Sequence, residues 1–523
     1  MNKPLDVLFV NADSAAQAYQ ELSKDFSAIE PPTWALLLAQ SCRSKGFGVG
    51  ILDCGAERLP DEAAVKRIQA ANARLVCFVV YGQNPNSGTT NMIGASALAR
   101  RLKAESPAQK TCFVGSHVSA LPREVLAQGE VDFVLLNEGV YALHNLLRTN
   151  LRDRLDQVKG IGYKREGAQL LTPPEQVVPG QRMDEDLPGY AWDLLPYKEK
   201  PLDLYRAHFW HAEFSHDLRT PFAALYTSLG CKFKCDFCMI NIVNRVDNAD
   251  GVSAANSPNM RFWSPGFMLR QFEQLAAMGV KTIRVSDEMF FLNKNYYEPL
   301  VTGLAERDLG LRMWTYSRID TVRSQYLEKF KRAGINWLAL GVEAANQKIR
   351  REVSKGSFEE IDVREVVRTV REAGMYVIAN YIFGFPEDTL QTMQQTLDLA
   401  IELNTEMANM YPCMALPGSP LYFTAKANGW KLPDSYAGYA FLSYDSQPLP
   451  TRHVSAAEVL RFRDQAWQKY FTNPAYLDLV QRTFGPQQRA NVEAMTRIHL
   501  RRRLLEQETD PVPVASTPCP QSA

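Results

Sequence analysis

The sequence predicts an α/β chain in three parts: an N-terminal five-stranded parallel Rossmann-like domain, a partial (β/α)6 barrel, and a C-terminal helical region. Three observations predict it. Five short apolar runs alternate with helix-forming stretches over the first third of the 523 residues. Six more strand-helix units follow between residues 216 and 430, and beyond 431 the strand-like runs give way to helical ones.

In the first domain (1–150) the strand-like runs are DVLFV (6–10), VGILD (49–53), RLVCFVV (74–80), TCFVG (111–115) and VDFVLL (131–136). Between them lie WALLLAQSCRSKG, DEAAVKRIQAAN and TNMIGASALARRLKA, all rich in helix formers. That alternation implies a parallel sheet covered on both faces, which binds ligands at the carboxyl ends of its strands. Residues 151–215 lose the rhythm: TPPEQVVPG and DLPGYAWDLLPYKEKPLD supply prolines, glycines and aromatics. This connector carries too many large apolar residues for a free linker and is expected to pack on its neighbours.

The barrel (216–430) is read from LYTSLG (225–230), KTIRVSD (281–287), RMWTYSR (312–318), WLALGVE (337–343), VIANYIFG (377–384) and MANMYPC (407–413). Val363, Val366, Val367 and Val370 keep one helical face apolar. Gly279, Gly334 and Gly374 each stand between a helix and the next strand, where a C′ glycine is expected. In the helical region (431–507), SAAEVLRFRDQAWQKYF and RANVEAMTRIHLRRRLLE are the main stretches. Arg497, Arg501, Arg502 and Arg503 are read there as a solvated face. The tail 508–523 lacks the apolar content to fold and is expected to be disordered.

Composition narrows the function classes. Lys plus Arg and Asp plus Glu both total 58, a balance that sets up no field for nucleic acid or anionic lipid. The opening MNKPLDVLFVNAD is too short an apolar run for a signal peptide, and no membrane-length apolar stretch occurs. A cytoplasmic protein is expected. Nine cysteines in such a chain are expected to be free thiols, with Cys77 and Cys112 in the core.

Only one group of cysteines is clustered. Cys231, Cys235 and Cys238 follow the spacing Cys-x3-Cys-x2-Cys, and the next cysteine is the distant Cys413. Structural zinc takes four protein ligands. An iron–sulfur cubane held by three cysteines keeps one iron open for chemistry.

Cys-x3-Cys-x-aromatic-Cys, with Phe237 as the aromatic, after the first strand of a six-unit barrel resembles the radical S-adenosylmethionine enzymes. The resemblance implies a [4Fe-4S] cluster on the three cysteines, with S-adenosyl-L-methionine chelating the open iron and yielding a 5′-deoxyadenosyl radical. Further motifs sit at successive strand ends, where barrel active sites are built. By resemblance, Asp287 and Glu288 offer a carboxylate to the cofactor's ammonium, and Ser317 with Arg318 meets its carboxylate. Glu343 meets the ribose, and Asn380 lies in the turn beside the adenine. Each also has a plainer reading: a solvated turn for Asp287 and Glu288, a surface ion pair for Arg318, a helix-terminal acid for Glu343.

The first domain resembles the cobalamin-binding domain of the B12-dependent members of that family. The shared signs are Pro31-Pro-Thr-Trp34, Gly46, Asp53, Val114-Gly115-Ser116-His117 and Asn137-Glu138-Gly139. The polar loop Gln83 to Thr90, with Ser87 and Thr89, could pack against a planar cofactor, or serve as a turn and helix cap. The Asp-x-His-x-x-Gly motif that supplies an axial histidine elsewhere is absent; Asp53-Cys-Gly-Ala stands in its place. His117 is a candidate axial ligand or a hydrogen-bonded loop histidine. His208, His211 and His216 gather among aromatics as a substrate-facing lid or a packed interdomain segment.

The function so implied is methylation of an unactivated carbon of a small molecule, using cobalamin, S-adenosyl-L-methionine and the cluster. An external electron donor of flavodoxin or ferredoxin type is implied as well. The alternatives are oxidative cyclisation like that of the anaerobic magnesium-protoporphyrin monomethyl ester cyclase, methylthiolation of transfer RNA, and a non-catalytic corrin or iron sensor. Methylthiolation calls for a second cysteine triplet and a basic appendage, and a sensor calls for an output module such as a DNA-reading helix pair.

Overall fold

The computed structural model describes residues 5–82, 85–245, 247, 252–353 and 361–509. Gln83 and Asn84 of the polar loop, Cys519 and the expected tail from 510 onward lie outside the described residues, whereas 508 and 509, expected in that tail, end the helix Arg503–Thr509.

Strands β1 (Val7–Asn11), β2 (Val49–Asp53), β3 (Leu75–Val79), β4 (Lys110–Val114) and β5 (Phe133–Leu135) run parallel in the order β2-β1-β3-β4-β5. Alternation sends Val7 and Phe9 into the larger core and Leu8 and Val10 into the smaller one on the opposite face. Cys77 and Cys112 are register partners on β3 and β4 and fully buried.

The connector departs from expectation. β6 (Ile161–Arg165) and β7 (Ala168–Leu171) extend the sheet antiparallel from β5, so it has seven strands where five were expected. Glu166 and Gly167 turn the chain between them with positive φ (51° and 81°), as a two-residue hairpin requires. Lys164, Arg165 and Ala168 are exposed, and the polar edge they form hides the strand pattern. Elsewhere the connector packs: Trp192, Tyr205, Trp210 and Phe214 are buried in the core that both sheets share. His208 stacks on Trp210 at 3.9 Å and His211 on Trp314 at 3.8 Å, so this segment packs between the domains, and both histidines also line the cavity described below.

The second sheet contains β8 (Phe222–Leu225), β11 (Thr282–Val285), β12 (Arg312–Arg318), β13 (Ile335–Glu343), β14 (Tyr376–Phe383) and β15 (Met407–Pro412), after a separate ladder of β9 (Ser228–Cys231) and β10 (Asn259–Phe262). Its order is β15-β14-β13-β12-β11-β8, with every pair parallel: an open half-barrel. The run expected as its first strand, LYTSLG, is divided. Residues up to Leu225 stay in the sheet, and Ser228–Cys231 pairs antiparallel with β10. Gly230 permits the close approach, since at its φ of 85° a Cβ would lie 2.2 Å from the Asn259 carbonyl.

The helix Ala456–Phe471 starts on a capping box of Ser455 and Glu458 and packs beside β15. The stretch expected as one further helix is two, Pro486–Thr496 and Arg503–Thr509. Arg502 between them is not on a solvated face. Its guanidinium forks onto both oxygens of Asp464 at 2.8 Å and reaches the Phe441 and Ser443 carbonyls. Arg497, Arg501 and Arg503 are exposed, as expected. The region folds back on the first domain, where Gln20 Nε2 donates to the Leu442 carbonyl (2.7 Å) and Gln128 to the Tyr436 hydroxyl. Among the described residues no helix is long and apolar enough to cross a membrane.

Candidate active site

The carboxyl edges of the two sheets face one cavity of about 1740 Å³. One wall comes from the first domain: Ala12, Asp13 and Ser14 after β1, Gly55 after β2, and Gly82 and Ser87 after β3. These small side chains leave room for a broad planar group. The barrel supplies the opposite wall, and Tyr439, Phe441, Arg463 and His499 of the C-terminal region close the third side.

Cys231, Cys235 and Cys238 line the barrel wall, each half-buried. The Cys238 amide donates to the Cys235 carbonyl (3.2 Å), which tightens the loop. Nitrogen donors already approach two of the sulfurs: the Phe233 amide lies 3.4 Å from Cys231 Sγ and Asn86 Nδ2 3.7 Å from Cys238 Sγ. Burial pushes the thiols up, to about 12 for Cys231 and about 11 for Cys235, so a metal centre must displace their protons to bind. Among the described residues no three Cys, His, Asp or Glu side chains converge as a single metal ion needs. The donor set, three cysteines with no fourth ligand beside them among the described residues, fits a polynuclear cluster with an open corner better than structural zinc.

The paired acids after β11 part company. Asp287 does not line the cavity: its carboxylate accepts from the Thr227 amide (2.5 Å), the Thr227 hydroxyl (2.6 Å) and the Ser228 hydroxyl (2.6 Å). It holds the chain that leads into the cysteine loop. Glu288 lines the cavity, and its buried Oε1 has no hydrogen-bond partner. Burial pushes it up to about 8, against the pull of Arg284. An acceptor left open in this way fits an ammonium donor.

The other predicted barrel residues are gathered at the same wall. Arg318 forks onto Asp320 (2.9 and 2.8 Å) and lies 3.8 Å above the Phe233 ring, and Ser317 bonds Thr321 (2.7 Å). Glu343 is held at φ 64° beside a register shift, an unusual conformation for a non-glycine residue. Gly341 leaves space for it, since a Cβ there would lie 2.6 Å from Glu343 Oε1. Burial pushes Glu343 up to about 7. Asn380 accepts from Asn409 (2.9 Å) and donates to the Leu340 carbonyl (3.2 Å). Phe237 packs against Phe385 and faces the cavity.

On the first domain Ser87 is at the cavity, and it is the N-cap position of helix Gly88–Glu105 without a side-chain cap bond. Thr89, Gly115, Ser116, His117, Asn137, Glu138 and Gly139 do not line the cavity. Thr89 Oγ1 instead bonds His117 Nδ1 (3.0 Å), and Tyr436 sets its ring edge-to-face on His117 at 5.1 Å, so the histidine is buried in side-chain packing. The Asn137 carbonyl accepts from the Tyr81 hydroxyl (2.7 Å), and Glu138 forms a buried ion pair with Arg261 (2.7 Å). Gly115 takes its φ of 155° where a Cβ would meet the Val80 carbonyl at 2.3 Å, and Gly139, at φ 76°, starts the helix Val140–Leu147.

The contacts of several cavity residues are not readable from the sequence. Asn86 reaches the cysteine loop from the first domain, and Glu30 meets Arg284 across the domain boundary (2.6 Å). Asp53 accepts from Asn11 (2.9 Å), the Ala56 amide (3.2 Å) and the Tyr205 hydroxyl (2.9 Å), yet burial still pushes it up to about 6. Glu30 stands in no motif, and the polar loop around Asn86 does not say what it touches; only the meeting of distant segments reveals both contacts.

Comparison with known proteins follows this geometry. The family model for the Radical SAM superfamily matches residues 225–400, and that for the B12 binding domain matches residues 24–147. An uncharacterized methyltransferase of Pyrococcus horikoshii is 24% identical over 86% of this chain and 89% of its own. The anaerobic magnesium-protoporphyrin IX monomethyl ester cyclase of Rubrivivax gelatinosus is 22% identical over 90% of this chain and 78% of its own. In fold, the chain is similar to the radical S-adenosylmethionine methyltransferase TsrM from Kitasatospora setae, solved with cobalamin and a [4Fe-4S] cluster bound. The TM-score is 0.63 at 16% identity, covering 94% of this chain and 99% of that one.

Proposed function

The chain is a radical S-adenosylmethionine enzyme with a B12-binding domain, and from that premise we propose that it methylates an unactivated carbon of a small-molecule substrate. One observation carries the reading: the cysteine loop and the strand ends of the first sheet open into the same cavity, leaving room between them for a substrate. The relative and the fold neighbour that are named as methyltransferases support it.

In this reading residues 1–150 hold the corrin, 216–430 hold the cluster and S-adenosyl-L-methionine, 151–215 join the two, and 431–507 close the cavity. Cys231, Cys235 and Cys238 bind the cluster. When bound, these groups supply a 5′-deoxyadenosyl radical and a transferable methyl group. The chain's own share is placement. Glu288 Oε1 accepts from the ammonium of S-adenosyl-L-methionine, Glu343 accepts from its ribose hydroxyls, and Arg318, held flat by Asp320 and Phe233, faces its carboxylate. The walls of Tyr439, Phe441 and Trp314 exclude water from the radical's path. The electron comes from a flavodoxin- or ferredoxin-type donor, in the cytoplasm.

The test is anaerobic reconstitution with iron and sulfide, followed by turnover with S-adenosyl-L-methionine carrying a labelled methyl group. 5′-Deoxyadenosine and label in the product carbon are expected. A protein that binds no iron overturns the reading. A second reading, oxidative cyclisation, is favoured by the likeness to the Rubrivivax gelatinosus cyclase. It predicts 5′-deoxyadenosine with no label in the product.

A further inference from the structure

The loop after β3 leaves the first domain and touches the cysteine triplet. Asn86 Oδ1 accepts from the Met239 amide at 3.0 Å, and Asn86 Nδ2 lies 3.7 Å from Cys238 Sγ. Two glycines set its path. Gly82 takes φ 67° where a Cβ would meet Ser87 Cβ at 2.6 Å, and at Gly88 a Cβ would lie 2.0 Å from Ser116 Oγ. Larger residues would push the loop off the sheet and withdraw Asn86.

The amide's orientation follows from its partners. The Met239 N–H can meet only the carbonyl oxygen, so the NH2 group is left facing sulfur. While Cys238 is a thiol, its S–H can donate to Oδ1, at 3.8 Å. A thiolate has no proton to give, and the Nδ2–H donor alone remains. Hydrogen bonds to cluster sulfurs stabilise the reduced, more negative state and raise the reduction potential.

We propose that Asn86 is a positioning residue that hydrogen-bonds the Cys238 sulfur of the bound cluster from the first domain, setting the cluster's potential from the corrin side of the cavity. The loop bearing Asn86 also lines the cavity through Gly82 and Ser87. This inference rests on the cysteine triplet holding a cluster.

The test is the cluster's midpoint potential, followed by electron paramagnetic resonance of the reconstituted full chain at a series of fixed poises. Asn86→Asp keeps the oxygen that accepts from Met239 and removes the donor; Asn86→Ala removes both without adding charge. Both are expected to bind wild-type iron yet to reduce less readily. The reduced-to-oxidised ratio at a given poise should fall about tenfold, or about 59 mV for one electron. A purely structural role would lower iron content or melting temperature and leave the potential of the loaded fraction unchanged. An unchanged potential in both iron-replete variants overturns the proposal. Failure of the wild-type chain to bind iron overturns the underlying reading as well, and the two failures are told apart by iron content.

Discussion

Glu30 and Arg284 form an ion pair across the boundary between the two sheets. Arg284 Nη1 lies 2.8 and 2.6 Å from the two carboxylate oxygens, and Nη2 donates to the Tyr316 hydroxyl at 2.7 Å. The guanidinium also rests 4.9 Å from the Trp314 ring centroid. Burial pushes the Glu30 carboxyl up, and Arg284 holds it in check. The pair fixes how the first domain meets the barrel wall.

Removing one partner of this pair strands the other charge. Glu30→Gln and Arg284→Met should each cost about 3–5 kcal/mol of stability, and the Glu30→Leu/Arg284→Met double variant should recover much of it. A double-mutant cycle by denaturant unfolding checks this. Additive losses would show that the pair does not couple the halves.

Asp287 and Glu288 are adjacent but should fail differently. Asp287→Asn weakens three short hydrogen bonds and is expected to cost about 3 kcal/mol of stability. Glu288→Gln removes a carboxylate whose buried Oε1 has no hydrogen-bond partner, so its melting temperature should hold or rise. Its affinity for S-adenosyl-L-methionine should fall about 10- to 100-fold, as loss of a charge-assisted hydrogen bond implies. Calorimetric melting and equilibrium binding on the same samples separate the two effects.

Cysteine replacements should sort by position. Cys235→Ala should abolish the iron–sulfur absorbance while leaving the melting temperature of the metal-free protein nearly unchanged, because that side chain is only half-buried. Cys77→Ala should retain iron and lose about 1 kcal/mol of stability as a small core cavity opens. Iron assays and melts report each outcome.

Three packed histidines, His144 buried and His208 and His211 partly buried, set an acid limit on stability. Burial lowers His144 to about 4, and it pushes His208 and His211 well below their ordinary range. The folded state therefore binds fewer protons than the unfolded state between pH 6.5 and 4. The stability these groups contribute is complete above about pH 6.5 and is lost as pH falls. His144 alone accounts for about 3 kcal/mol over that window. His144→Gln should flatten the fall measured by denaturant unfolding at stepped pH, and an unchanged slope would show that His144 titrates normally.

The positions of most strands in both sheets were legible because apolar alternation is a local property. RMWTYSR, for instance, coincides with β12 (Arg312–Arg318). The hairpin of β6 and β7 was not legible, since its polar outer edge dilutes the alternation and its turn resembles any loop. At the site, the cysteine spacing and Glu288, Ser317, Arg318, Glu343 and Asn380 were readable as strand-end motifs, and the structure brings them to one wall. The first-domain motifs from Gly115 to Gly139 were readable too, but their side chains point into the packing between helices and connector.

By itself the sequence determined where most strands and helices run and which loop carries three thiols, because those depend on spacing between near neighbours. Tertiary structure alone decided that Glu288 and not Asp287 faces the cavity, that Tyr436 covers His117, and that Asn86 reaches Cys238. The reason is physical. Whether a polar side chain stays open to a ligand depends on which donors from distant segments claim it first, and that is settled only when those segments pack together.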